Sequence, residues 1–327
     1  MANTRELRRR IKSVKNTSQI TKAMQMVAAT KMRRAQNQAL AGRPYNETFN
    51  FALSKLSDKL DPETHPLLNS NDSENIGIIL LSTDKGLCGA LNTNIFRATQ
   101  NFISSTRHPE RSEGSKLNSS SSQRWTQNNI YIFYTVGKKG RQFVVKTSKT
   151  LEADFENLDI ITFSQATQIA KIIVDKFLKK EIREAYIIYP DFVSTLKQDP
   201  KIVKLLPIDS SVTLSVSEGP LEDKEQEKSG DSSGPVDHQS DNNDFLFEPN
   251  LGELLEYILI HFVETKIYQA LLETKASEHS SRMIAMQNAT ENAKDLVEDL
   301  QLTYNQTRQE GITRELLEIT TAQAALE

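Results

Sequence analysis

The residues best placed for chemistry in this 327-residue chain are Ser82-Thr-Asp-Lys-Gly-Leu-Cys-Gly-Ala-Leu-Asn92, a loop that directly follows the apolar run Ile76-Gly-Ile-Ile-Leu-Leu81. Nucleotide-binding folds cradle phosphate at this point, because backbone N–H groups at a strand-to-helix turn face an anion. The loop contains neither G-x-G-x-x-G nor G-x-x-x-x-G-K-S/T. It reads as a tight turn whose glycines permit close backbone approach, with a nucleotide-binding α/β enzyme carrying a coiled-coil arm as the alternative. Gly137-Lys-Lys-Gly140 is a basic turn with no Ser or Thr after it to hold magnesium. Cys88 acts as a nucleophile only with a base beside it. Of His65, His108, His238, His261 and His279, two fall in polar inserts and two in the C-terminal helix. Cys88 therefore reads as a small buried thiol. No His or Cys pair has metal-ligand spacing, so no catalytic residue, cofactor or metal is expected.

The elements that position this loop lie between two long helical patterns. Residues 3 to 41 have no Pro or Gly, and Leu7, Ile11 and Val14 begin a three-four stripe. It continues through Ile20, Met24 and Val27, with Ala28, Met32, Ala35 and Ala39 beside it. Gly42-Arg43-Pro44 punctuates this helix, and Pro44 opens a further helical stretch to about Leu60. After Pro249 the chain has no further proline. Its 78 residues, if helical throughout, span about 115 Å, so the helix must project. Met286, Ala289, Ala293, Leu296 and Leu300 carry its seam, which thins after Leu302 to Thr303, Thr307, Ile312, Leu316 and Ile319. Residues 1 to 43 carry eleven Lys/Arg against Glu6 alone; residues 250 to 327 carry six Lys/Arg against thirteen Asp/Glu. Two narrow-seamed helices of opposite sign dock as an antiparallel coiled coil, their charges selecting partner and register. With an acidic partner helix inside the chain, the basic helix is not read as a nucleic-acid surface.

Between the ends, Ile76–Leu81, Ile130–Val136 and Ala185–Tyr189 are apolar runs of strand length, with a helical pattern from Ala166 to Leu178. Such strands alternating with helices predict a parallel sheet covered on both faces. Ile202 to Ile208 adds an edge strand. Residues 104 to 124 hold eight serines and one large aliphatic, Leu117, and residues 217 to 243 are acidic and almost without apolar side chains. Both read as disordered inserts that cannot bury enough surface to offset their ordering entropy. A lone cysteine fits a reducing compartment, a net charge of -3 gives no global sign of nucleic-acid binding, and no stretch of about 18 apolar residues spans a membrane. The helical pattern starts by Leu7 and is read as helix, not as a leader.

Three segments carry a family resemblance. Ile11 to Gln36 (IKSVKNTSQITKAMQMVAATKMRRAQ) resembles the N-terminal helix of the ATP synthase gamma subunit family. Ala276 to Ala293 and Tyr304 to Ile319 resemble its C-terminal helix, and Ser82 to Asn92 is similar to its central-domain motif. The resemblance implies an α/β fold class: a long antiparallel coiled coil of the two terminal helices plus a central Rossmann-like α/β domain. The expected segments are 1–60 and 245–327 for the coiled coil, 75–215 for the α/β domain with its insert 104–124, and 216–244 for the acidic insert. It further implies a non-catalytic central rotor stalk, one copy per complex. The implied partners are the alpha and beta subunits of a hexamer, the epsilon subunit and the membrane proteolipid ring, and the implied location is the cytoplasmic face of the cell membrane. Met24 matches the position facing the lever segment of beta. Arg308, Gln309 and Thr313 match the polar group that engages a catch loop, and Glu318 lies beyond them. Phe245-Leu-Phe-Glu248 resembles the foot on the ring, with Phe245 where a tyrosine is common. Cys88 alone leaves no two-cysteine redox switch of the plastid kind.

Overall fold

Six consecutive buried residues, Ile76–Leu81, make β1 (Asn75–Leu81) the middle of a five-stranded sheet in the computed structural model, which describes residues 4–57, 65–107, 130–208 and 251–324. The other strands are β2 (Ile130–Val136), β3 (Thr150–Phe155), β4 (Glu184–Phe192) and β5 (Gln198–Leu206), in the order β3-β2-β1-β4-β5. β1 pairs in parallel with β2 and β4, and β2 with β3. β5 runs antiparallel to β4 at the edge. Because side chains alternate along a strand, Ile76, Ile78 and Leu80 pack under α2 (Leu91–Arg107) and α3 (Lys138–Lys146) on one face. Ile79 and Leu81 face α4 (Phe163–Leu178) and the middle of α5 (Leu251–Ala324) on the other.

Several elements depart from the sequence reading. α3 and β3 are additions: β3 alternates half-buried Leu151, Ala153 and Phe155 with exposed neighbours, the pattern of an edge strand whose Glu152 and Asp154 disguise it as loop. α2 extends to Arg107, so residues 104–107 of the serine-rich stretch are helical; Ser104 Oγ donates to Gln100 O at 2.9 Å and Ser105 Oγ to Asn101 O at 2.8 Å. The rest of that stretch, and residues 217–243, lie outside the described residues. α1 (Thr4–Ser57) continues unbroken through Pro44. There Tyr45 and Phe49 pack against His261 of α5, with Tyr45 Oη 2.6 Å from His261 Nε2. Tertiary packing on α5 overrides the helix-breaking preference of proline.

α1 and α5 pair antiparallel. Arg8 Nη2 donates to Tyr304 Oη at 2.8 Å, the Thr21 and Thr290 hydroxyls meet at 2.7 Å, and Gln38 Nε2 donates to Tyr268 Oη at 3.0 Å. The seam keeps a strict seven-residue repeat. On α1 it runs Leu7, Ile11, Val14, Ser18, Thr21, Gln25, Ala28, Met32, Ala35; on α5 it runs Met286, Thr290, Ala293, Val297, Leu300, Tyr304, Thr307. This corrects the expected stripes. Ile20 and Val27 stand 61% and 55% exposed and Leu296 46%, while Ala289 is half-buried beside the seam. Thr290, Val297 and Tyr304 take the places expected of Ala289, Leu296 and Thr303. The seam follows register across a polar stretch instead of following residue type.

Candidate functional site

The loop after β1 is tied into the fold at both ends. Gly140 N donates to Ser82 Oγ at 2.7 Å, and Ser82 Oγ donates in turn to Val136 O at 2.9 Å. A Cβ on Gly137 (φ 96°) would stand 2.5 Å from Ser82 O, and one on Gly140 2.8 Å from Ser82 Oγ. Both glycines are there for this approach. Asp84 Oδ1 accepts from Lys138 N at 2.9 Å and Thr83 O from Lys139 N at 3.1 Å. The start of α3, where an anion would bind, is thus occupied by the chain's own carboxylate and carbonyl.

Thr83, Cys88 and Asn92 close the turn. Asn92 Nδ2 donates to Thr83 Oγ1 at 2.8 Å and lies 3.4 Å from Cys88 Sγ. Burial pushes the Cys88 thiol up from its ordinary value, which suits a packed thiol and not a nucleophile. The loop then docks on α5: Ser281 Oγ donates to Cys88 O at 2.6 Å and Arg282 Nη2 to Gly86 O at 3.4 Å. It is a latch between sheet and shaft.

Beneath the latch lies a buried ionic cluster. Glu278 Oε1 accepts from Arg282 Nη2 at 2.8 Å, and Oε2 from Lys275 Nζ at 3.3 Å and Asn157 Nδ2 at 3.4 Å. Asn157 Nδ2 also donates to Ser82 O at 2.9 Å. Burial alone would raise the Glu278 carboxyl, but the Lys275 and Arg282 cations hold it below its usual range. The adjacent His279, 5% exposed, is pushed down to about 4 by burial. Spacings of three and four residues on a helix ordinarily mark surface pairs, so this cluster is not visible in the spacing alone.

The residues expected to meet partners fall at two levels of one rod. Met24 is half-buried on α1 beside the seam. Arg308, Gln309, Thr313 and Glu318 are exposed on α5, beyond its last layer with α1, and Thr313 Oγ1 donates to Gln309 O at 2.9 Å. With Thr21 opposite Thr290, Met24 and Arg308 lie roughly 30 Å apart along the axis. Phe245 and Glu248 lie outside the described residues. Ile20 and Val27, expected in the seam, sit off it with Met26 as an apolar flank at the level of Met24, 61%, 55% and 58% exposed. Strict counting by sevens from Leu7 would have revealed them. No helix among the described residues is long and apolar enough to cross a membrane.

A family model described as ATP synthase matches residues 3–326. The ATP synthase gamma chain of Methylacidiphilum infernorum is 42% identical over 331 residues, covering 100% of both chains. That of Opitutus terrae is 37% identical over 99% of each. Among solved structures, a chain of the Euglena gracilis mitochondrial ATP synthase assembly of OSCP, F1 and c-ring, in rotational state 3, matches with a TM-score of 0.63. The match covers 99% of this chain and 94% of that one at 23% identity, a likeness of fold. A chain of the rotor of the same organism's enzyme matches with a TM-score of 0.58 at 21% identity, covering 94% and 98%.

Proposed function

The chain belongs to the ATP synthase gamma-chain family, and on that premise we propose that it is the central rotor stalk of such an enzyme. In this reading it is a non-catalytic shaft that couples ion-driven rotation of a proteolipid ring to ATP synthesis or hydrolysis in a hexamer of alternating alpha and beta subunits. The observation that carries the reading is where the pairing ends. Beyond Thr307, α5 continues without α1, all of 308–323 exposed. Ile312, Leu316, Leu317 and Ile319 there are 50% to 63% exposed. An unpaired helix draws little stability from propensity alone, and a surrounding sleeve of partner subunits accounts for its apolar residues and its polar ones together.

Met24, with the exposed Ile20, Met26 and Val27 around it, is assigned to the lever segment of beta. Arg308, Gln309 and Thr313 are assigned to the catch loop, and Glu318 to the hexamer beyond. Residues 1–60 and 245–327 form the shaft, 75–215 the α/β domain beside the epsilon subunit, and 216–244 an acidic insert. Phe245 and Glu248 form the foot on the ring, so the chain sits peripherally at the cytoplasmic face of the cell membrane. An asymmetric rod inside three equivalent sites contacts each differently, and those differential contacts are a coupling free energy that favours a different conformation at each. One rod serves one hexamer.

In the reconstituted complex, Met24→Lys and Arg308→Ala are each expected to lower ion-driven ATP synthesis by about fivefold or more, the range of a 1–3 kcal/mol coupling. Unchanged synthesis in both would remove the contact assignments. Micromolar binding of ATP by the isolated chain would instead favour the nucleotide-binding enzyme.

A further inference from the structure

A cavity of about 630 Å³ opens between α1, the start of α4 and the middle of α5, apart from the latch and the tip. Its walls are aromatic: Tyr45, Phe163, Tyr268 and His261 stand with ring centroids 5.5 to 6.0 Å apart in neighbouring pairs. Two polar side chains that line it lack hydrogen-bond partners for a buried atom among the described residues. Thr265, 8% exposed, leaves its Oγ1 unbonded; Glu273 Oε1 accepts from Gln269 Nε2 at 2.9 Å, and Oε2 meets no well-aligned donor, the carboxyl standing against Asp191 and Tyr189 of β4. A carboxyl held against a second carboxyl costs stability unless a proton or a cation lies between them, and Thr265 Oγ1 adds an unmade hydrogen bond on the same wall.

We propose that this cavity binds a small organic cation, an ammonium group carried on an apolar body, with the ammonium on the Glu273 carboxyl and the body among the aromatic rings. The surroundings select the charge. Asp191 and Tyr189 of β4 face the Glu273 carboxyl; Lys201 of β5 is engaged with Asp191 at 3.3 Å, and Lys266 lies over the Phe262 ring at 5.1 Å. The cavity therefore offers ring faces and a carboxyl, with the Gln269 amide already engaged on Glu273. An ammonium brings three donors and no acceptor, and aromatic faces attract cations. The volume is in the range of small-molecule sites. Burial and the neighbouring Asp191 raise Glu273 to about 7, so a cation that binds the ionised carboxylate displaces its proton.

Calorimetric titration of the full chain with 4-phenylbutylamine, and with 4-phenylbutanol as neutral counterpart, tests this. The amine is expected to bind saturably, at least about tenfold more tightly than the alcohol, and to tighten from about pH 6 to 8 with release of a proton. Glu273→Gln, which keeps the shape and the Gln269 contact, is expected to lose about tenfold or more. Gly42→Leu fills the α1 wall of the cavity and is expected to abolish binding without touching the carboxylate. Equal affinity for amine and alcohol, or an unchanged Glu273→Gln, would overturn the cation assignment. Absence of saturable binding at millimolar amine would overturn the site. If Glu273→Gln fails to fold, the Gly42→Leu variant and the pH dependence decide.

Discussion

Glu278→Ala is expected to cost about 3–5 kcal/mol of folding stability, the range for breaking a buried ion pair by removing one partner. The side chain is 6% exposed, and its two oxygens hold Arg282, Lys275 and Asn157. Alanine leaves two cations buried without a counter-charge, and it frees Asn157 from one of the two groups that link α5 to the end of β1. Glu278→Gln keeps an acceptor and is expected to fall between wild type and alanine. A compensated Lys275→Met, Glu278→Leu pair should recover much of the loss, since apolar replacements of buried ion pairs are often neutral. Urea unfolding measures all three; a Glu278→Ala midpoint within error of wild type would mean that the cluster holds nothing together.

Stability between pH 4.5 and 6.5 is expected to change less in the wild type than in variants of His279 or Glu273, because these two buried groups oppose each other. His279 is lowered from 6.5 to about 4, chiefly by burial. Its contribution is full above 6.5 and is lost as pH falls toward 4. Glu273 is raised from 4.5 to about 7 by burial and Asp191. Its contribution is present below 4.5 and is lost as pH rises through 7. His279→Gln should therefore expose a fall in stability with rising pH, and Glu273→Gln a rise. Urea titrations at stepped pH distinguish these slopes; identical profiles in both variants would contradict the assignment.

Much of this architecture was legible because burial on both faces leaves a continuous apolar run. β1, β2 and β4 announce themselves that way, and the long helical ends announce themselves by charge and by the missing prolines. β3 was not legible, because an edge strand with Glu152 and Asp154 outward looks like polar loop. The seam was legible at Leu7, Ile11 and Val14 but not at Ser18, Thr21 and Gln25. There a hydrophobicity reading prefers Ile20, Met24 and Val27, and register prefers the polar set. The close backbone approach expected of the Ser82–Asn92 glycines falls instead on Gly137 and Gly140, which sequence showed only as a basic turn, while Gly86 stands in open space. The Asp84 carboxylate at the start of α3 takes the place a phosphate would have there. The 273–282 stretch of α5 hid two buried charge clusters behind ordinary helical spacing, which no periodicity distinguishes from a solvated face.

The claim that this chain turns as one rigid shaft inside a hexamer is tested most directly by two disulfides in the reconstituted complex. Thr21→Cys with Thr290→Cys joins α1 to α5, where the native hydroxyls lie 2.7 Å apart. Arg308→Cys joined to a cysteine in the surrounding subunits ties the tip to the hexamer. Oxidation of the first pair is expected to leave coupled ATP turnover intact, because the two helices move together. Oxidation of the second is expected to stop turnover and reduction to restore it. Turnover that continues with the tip bonded to the hexamer would contradict the account.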